Sequence, residues 1–333
     1  MRRAALALAA LATLTACGSA PKATSTSSSP THEVSVSSGL GPVPTMLAHP
    51  IVTVMPYKLV SGVGREAIIQ TDTGAIIAGG LIVGDSTTDA AQQIDFGKGT
   101  VTTLPALAVP VHDTAGSTNA GGPLVIGGGN TSEQSVVQQW SGGAWHVVGH
   151  LPTTRSDLVA AAIGGTTFVL GGYDAVTPAV SSVLSSTDGR TWTKVGSLAV
   201  PLRYAATAVV DSTVWLFGGE ASGAESNVVQ TVDTATGTGK VVAHLPSAIG
   251  HASAFRFGDK FLIIGGRTDA SSGAMTDRMW WFDPSTGKFT DAGRLPYVLA
   301  DAAIVTGGNF AYVVGGESPH PISTILRIAF TKE

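Results

Sequence analysis

The stretch Arg203-Tyr204-Ala205-Ala206-Thr207-Ala208-Val209-Val210-Asp211-Ser212-Thr213-Val214-Trp215-Leu216-Phe217-Gly218-Gly219 holds two short apolar runs, parted by a polar pair and closed by two glycines. The first run predicts a strand over residues 204–210, Asp211-Ser212 a turn, and the second run a buried strand that stops at the glycine pair. The same ending recurs at Ile77-Ala78-Gly79-Gly80, Val125-Ile126-Gly127-Gly128, Val169-Leu170-Gly171-Gly172, Ile263-Ile264-Gly265-Gly266 and Val313-Val314-Gly315-Gly316. Steps between first glycines are 48, 44, 47, 47 and 50 residues. A period in this range marks a chain built from one supersecondary unit repeated.

A second marker is a leucine, often followed by proline: Leu104-Pro105, Leu151-Pro152, Leu198, Leu245-Pro246 and Leu295-Pro296. From Leu59, Leu151, Leu198, Leu245 and Leu295 to the next glycine pair is 20 residues each time, whereas Leu104 to Gly127 is 23 and implies a three-residue insertion. Each of the six units reads as four short strands. After the glycine pair a variable loop leads to a third strand such as 228–232. A turn such as Asp233-Thr234-Ala235-Thr236-Gly237 or Asp283-Pro284-Ser285-Thr286-Gly287 leads to a fourth strand ending at the marker leucine. Asp suits these turns by bonding its own backbone, and Gly by tolerating positive φ. Trp145, Trp192 and Phe289 stand six residues before the marker in three units.

These units resemble Kelch repeats, whose members carry a glycine pair after a hydrophobic second strand and fold as four-stranded propeller blades. The resemblance covers roughly residues 51–330 and is plainest over Arg203–Gly219. The family's Tyr-to-Trp spacing between third and fourth strands is eroded, and Trp holds its fourth-strand place in only two units. The resemblance implies an all-β, six-bladed Kelch-like β-propeller. The last unit offers only one strand after Gly315-Gly316, at 324–330, while Ile51-Val52-Thr53-Val54 lies where a fourth strand should be. We therefore expect the N-terminal strand to complete the last blade, which removes two open sheet edges at once.

Composition agrees with short buried strands. Of 333 residues 13% are charged, 44% are hydrophobic and 42 are Gly, against about 25% charged and roughly 7% Gly in ordinary chains. A net charge of −4 with 19 Lys+Arg excludes a basic reservoir for nucleic acid. A single Cys excludes an internal disulfide.

The chain opens with Met1-Arg2-Arg3, an apolar run from Ala4 to Leu14, and Leu14-Thr15-Ala16-Cys17-Gly18. A basic start and a short apolar stretch have the character of an export signal rather than a span. The ending resembles the lipobox of bacterial lipoproteins, which implies cleavage after residue 16 and lipid attachment at Cys17. Residues 1–16 are thus read as a signal peptide, 17–50 as a lipidated flexible tether rich in Ser, Thr and Pro, and 51–330 as the propeller. The expected location is the extracytoplasmic side of a bacterial cell membrane, held by the lipid anchor.

Six residues after the marker leucines stand Arg65, Asp157, Tyr204, His251 and Asp301, joined by Asp113 once the insertion is allowed. Directly after glycine pairs come Tyr173, Glu220, Arg267 and Glu317. All ten fall on one face of the disc, where the long loops lie, and they are the candidate ligand-binding residues. A polar residue at these positions also serves blade packing and turn hydrogen bonds.

Sharper chemistries are set aside. Copper chemistry of the galactose-oxidase type needs a Cys–Tyr cross-link, and Cys17 is the only Cys. Ser186-Thr187-Asp188-Gly189-Arg190-Thr191-Trp192 resembles a shortened Asp box, a structural turn. His146 and His150 have helical zinc spacing but fall on a fourth strand. A cation held by Asp113, Asp157 and Asp301 is disfavoured because the three are not on consecutive blades. No catalytic residue, metal or cofactor is assigned. The expectation is a monomeric binding module for a glycan, small molecule or partner protein. The alternative is a carbohydrate-active enzyme, such as a sugar mutarotase or epimerase, which would need two acid–base groups at the channel mouth, such as Asp157 and His251.

Overall fold

The computed structural model describes residues 46–307 and 309–331, and among these every regular element is a β-strand. The segment read as a signal peptide, Cys17 and the expected tether up to residue 45 lie outside the described residues. The chain forms a β-propeller. Four sheets have four strands each, and an eight-stranded sheet consists of two further four-stranded units joined by a single parallel bridge, Ser197↔Thr238. In the fourth unit the strands run outward from the axis as Ala206–Val210, Thr213–Phe217, Val228–Asp233 and Thr238–His244. The sixth is Ala303–Gly307, Phe310–Val314, Ile325–Ala329 and then Ile51–Val54, which pairs antiparallel with Ile325–Ala329.

The segment before that closing strand also belongs to the fold. Leu47 N–H donates to the Phe330 carbonyl at 2.7 Å, and Trp281 Nε1 donates to Ala48 O at 2.9 Å. The tether expected to reach residue 50 therefore docks on the propeller from residue 46.

Second strands read as continuous apolar runs because both faces of each blade are covered. In Lys260–Ile264, Phe261 and Ile263 pack towards blade four, beside Phe217, while Leu262 and Ile264 pack towards blade six, beside Leu326 and Ile328. Successive strand side chains point to opposite faces, so a strand between two blades needs an apolar residue at every position.

The glycine pair is the joint between blades. In all six units the N–H of the second glycine donates to a carbonyl of the next blade, as in Gly219 to Ile249 at 2.8 Å and Gly316 to Val63 at 2.8 Å. The first glycine sits against that same carbonyl, and a Cβ there would approach it closer than 3.0 Å. Both glycines have positive φ, 63° and 99° at Gly218 and Gly219. Side chains are excluded on two independent grounds.

The marker leucine of the second unit is Leu107 rather than Leu104. Leu107 is buried, its Cδ1 lies near Gly79 as that of Leu198 lies near Gly171, and its N–H donates to Asp89 O as Leu198 N–H donates to Ser181 O. From Leu107 to Gly127 is 20 residues, so the spacing holds in all six units. The extra residues follow the strand Thr100–Leu104 and precede the marker.

Buried glutamines add a second clamp. Gln230 Oε1 accepts from Val200 N at 3.1 Å while its Nε2 donates to Val200 O at 2.8 Å. Gln138 does the same to Val109 at 2.8 and 2.9 Å. The fourth-strand histidines are surface residues: His146 and His150 are exposed, and His150 Nδ1 meets Ser135 Oγ at 3.2 Å. Asp188 accepts from the backbone of Arg190 and Thr191, both at 2.8 Å, which makes its motif a turn.

Candidate functional site

The six residues at marker plus six form a closed ring. Each backbone N–H donates to the carbonyl of its counterpart one blade back: Asp113 to Arg65, Asp157 to Asp113, Tyr204 to Asp157, His251 to Tyr204, Asp301 to His251 and Arg65 to Asp301, over 2.9–3.3 Å. All six are left-handed, with φ between 50° and 60°. That conformation disfavours residues with a Cβ, and here a chain of hydrogen bonds around the axis offsets the cost. These residues are turns before the inner strands, which start two residues later, as at Ala206.

The residue preceding each ring position bridges to the residue following its own blade's glycine pair, as in Arg203↔Glu220, Gly250↔Arg267 and Ala300↔Glu317. This places Tyr173, Glu220, Arg267 and Glu317 beside the ring. All ten candidate residues thus belong to one end of the propeller. Below the ring, a cavity of about 520 Å³ runs along the inner strands to Arg256 and Thr306. Arg65, Asp113, Asp157, Tyr204 and Asp301 line it, whereas His251 and the four post-glycine residues stand behind them.

The charged ends are tied to one another across blade joints. Arg65 Nε donates to Glu317 Oε1 at 2.8 Å, and its NH1 reaches Asp113 Oδ2 at 3.4 Å. Arg267 bridges Asp301 and Glu317. His251 Nδ1 lies 2.7 Å from Asp301 Oδ1 and its Nε2 3.1 Å from Glu220 Oε1, with the ring stacked on Tyr204 at 3.8 Å. This end of the propeller is therefore a packed layer: Asp157, Glu220, His251 and Glu317 are all buried.

Burial and pairing pull the titrations apart. Desolvation alone would lower His251, but the charge of Asp301 and hydrogen bonds to Asp301 and Glu220 raise it to about 9. Asp157 is pushed up to about 7 by burial and by Asp113, against Arg203. Asp113 rises to about 6 by burial, with Arg65 opposing. Asp301 is buried too, yet His251, Arg65 and Arg267 hold it below the usual carboxylate range.

Sequence reasoning missed four members. Arg203 donates from NH1 to Asp157 Oδ2 at 3.1 Å and from Nε to Glu220 Oε2 at 2.8 Å, and it stacks over Tyr173 and Tyr204. Its position is Gly, His, Ser, Gly or Ala in the other units, so nothing marked it. His112 lies 3.6 Å from Asp113 Oδ2. Glu66 is among the cavity-lining residues and is 8% exposed. Burial pushes its carboxyl well above the ordinary range. The equivalent residues are Thr114, Leu158, Ala205, Ala252 and Ala302, and a lone acid among them was the available signal. Glu225, opposite Glu220 in a small hairpin, is the fourth.

No family model and no curated protein matches the chain. Among solved structures, one titled "Structure of YjhT" is similar, with a TM-score of 0.71 and 16% sequence identity, covering 84% of this chain and 97% of that chain. At that identity the likeness concerns the fold.

Proposed function

We propose that the protein is a membrane-anchored, extracytoplasmic binding module of the Kelch type, and that its ligand is a hydroxyl-rich small molecule or glycan held at the charged end of the central cavity. The observation that carries this reading is the lining of that end: Arg65, Asp113, Asp157, Tyr204 and Asp301 bring three carboxyls, a guanidinium and a phenol to one cavity. Convergent polar groups over an otherwise apolar cavity are the form of a small-molecule site, and hydroxyls of a ligand donate to carboxylates and accept from a guanidinium. The volume, about 520 Å³, lies within the usual range for small-molecule sites. Lipidation of Cys17 would hold the domain where extracytoplasmic glycans are found.

The test is a calorimetric screen of monosaccharides, sugar acids and short glycans against the full chain. Asp157→Asn and Asp113→Asn are expected to weaken binding of any hit at least tenfold, and unchanged affinity in both variants would sink the cavity reading. Cys17→Ser, followed by membrane fractionation and labelling with a fatty-acid probe, tests the anchor; a chain still membrane-bound and labelled would refute it.

A second reading, proton transfer on a bound sugar as in a mutarotase or epimerase, is favoured by one observation. Asp113 and Asp157 line the same cavity with carboxyls raised to about 6 and about 7, close to the pH at which an acid–base pair works best. Anomer exchange followed by NMR, compared between the native chain and Asp157→Asn, separates the two readings.

A further inference from the structure

We infer that Glu220, Glu225 and His251 form a site for a divalent transition-metal ion of the zinc class, at the joint between blades four and five and behind the cavity-lining ring. One donor atom from each of the three lies within 4.8 Å of the other two. No other cluster of metal-ligating side chains among the described residues brings three such groups so close.

The local architecture explains how the donors meet. Glu220 and Glu225 are directly opposite in the hairpin Glu220–Ala221/Ala224–Glu225, which follows the glycine pair of blade four. Two like charges facing each other across an antiparallel pair repel. His251 enters from the ring position of blade five, with its Nε2 3.1 Å from Glu220 Oε1. The side chain of Glu225 is aimed into the same space, with both oxygens enclosed and neither paired. Room for its carboxylate exists because residue 250 is glycine: a Cβ there would collide with Glu225 Oε2. Two facing carboxylates, one enclosed without any donor, and an imidazole nitrogen within 4.8 Å of both are a mixed nitrogen–oxygen donor set that a borderline divalent ion satisfies.

The outer contacts have the form that orients metal ligands. His251 Nδ1–H donates to Asp301 Oδ1 at 2.7 Å, which leaves Nε2 facing Glu220. Arg203 Nε holds Glu220 by its other oxygen, Oε2, at 2.8 Å. Carboxylate–histidine contacts of this kind fix ring orientation and raise ligand basicity. The ion takes the place of the His251 Nε2 proton, which leaves to solvent, and the three protein donors leave the remaining positions to water or an oxygen ligand. The three residues that Asp-rich sequence reasoning considered for a cation, Asp113, Asp157 and Asp301, are instead each paired with an arginine.

The test strips the full chain with a chelator and titrates it with Zn²⁺ by calorimetry, with stoichiometry from elemental mass spectrometry and a thermal scan with and without the ion. The native chain is expected to bind one tight equivalent and gain thermal stability. Glu225→Gln, which keeps the shape, is expected to bind at least tenfold more weakly and gain none. Its melting temperature without metal reports folding separately. Absence of a stoichiometric Zn²⁺ site in the native chain, or equal Zn²⁺ affinity in Glu225→Gln, overturns the inference. Glu225 does not line the cavity, so sugar binding in Glu225→Gln keeps this result separate from that of the proposed ligand site.

Discussion

Arg65 N–H donates to the carbonyl of Asp301 at 3.3 Å, joining the first ring turn of the chain to the last. That bond completes the hydrogen-bonded ring at the axis, while the pairing of Ile51–Val54 with Ile325–Ala329 completes the sixth blade at the rim. Closure is thus made twice, near and far from the axis.

The rim closure carries the first prediction. Deleting residues 46–54 leaves Ile325–Ala329 with an unpaired edge and uncovers Trp281 and Phe330, which pack beside that segment. Open apolar edges recruit other chains. A lowered melting temperature and concentration-dependent aggregation by light scattering are expected; a monomeric variant with native stability would show the N-terminal strand to be dispensable.

Two glycines with the same sign of φ should respond differently to alanine. Gly218 has φ 63° with the Ile249 carbonyl where its Cβ would go, whereas Gly164 has φ 56° and nothing within 4 Å. Gly164→Ala bears only the left-handed cost, about 1 kcal/mol. Gly218→Ala adds a collision at the blade joint and should cost clearly more. Urea unfolding of the two variants compares them directly, and equal losses would refute the joint role of the glycine pair.

Gln230→Leu removes an amide that satisfies both the N–H and the C=O of Val200 from a fully buried position. Leaving buried backbone groups unpaired costs about 1–3 kcal/mol each. The urea midpoint should fall accordingly, and a neutral result would mean that water replaces the amide.

The Asp157 carboxyl gives a pH dependence of definite sign. Its folded value of about 7 stands above its ordinary 3.8, so the stability associated with it is fully present below about pH 4 and is lost as pH rises through about 7. In that window the unfolded state loses its proton first, and the group contributes a fall of up to about 1.4 kcal/mol per pH unit. Asp157→Asn keeps an acceptor for Arg203 and should flatten the stability profile between pH 4 and 7. An unchanged slope relative to the native chain would place Asp157 at an ordinary carboxylate value.

Much of this was legible in residue spacing because the spacing records local backbone demands. Gly218-Gly219 and its five counterparts recur because each occupies positive φ beneath a carbonyl of the next blade. The ring positions could be found by counting from the marker leucines because each closes a turn of constant length. The one miscount, at Leu104, arose because a leucine also ends the fourth strand there, whereas Leu107 is the one that is buried beside Gly79.

The charge network was not legible in the same way. Arg65 and Glu317 are 252 residues apart, and His251 and Asp301 meet across a blade joint. Arg203 occupies a position that is Gly, His, Ser, Gly or Ala in the other units, so the repeat itself hides it. By itself the sequence determined the repeated unit and the positions that open its inner strands, since these follow from turns and apolar burial within about 50 residues, and it placed the closing strand because the last unit lacks a fourth. Only the tertiary structure decided which acids are paired, which are buried, and which of them line the cavity. Those outcomes depend on distances of a few ångströms between side chains of different blades, which no local spacing encodes.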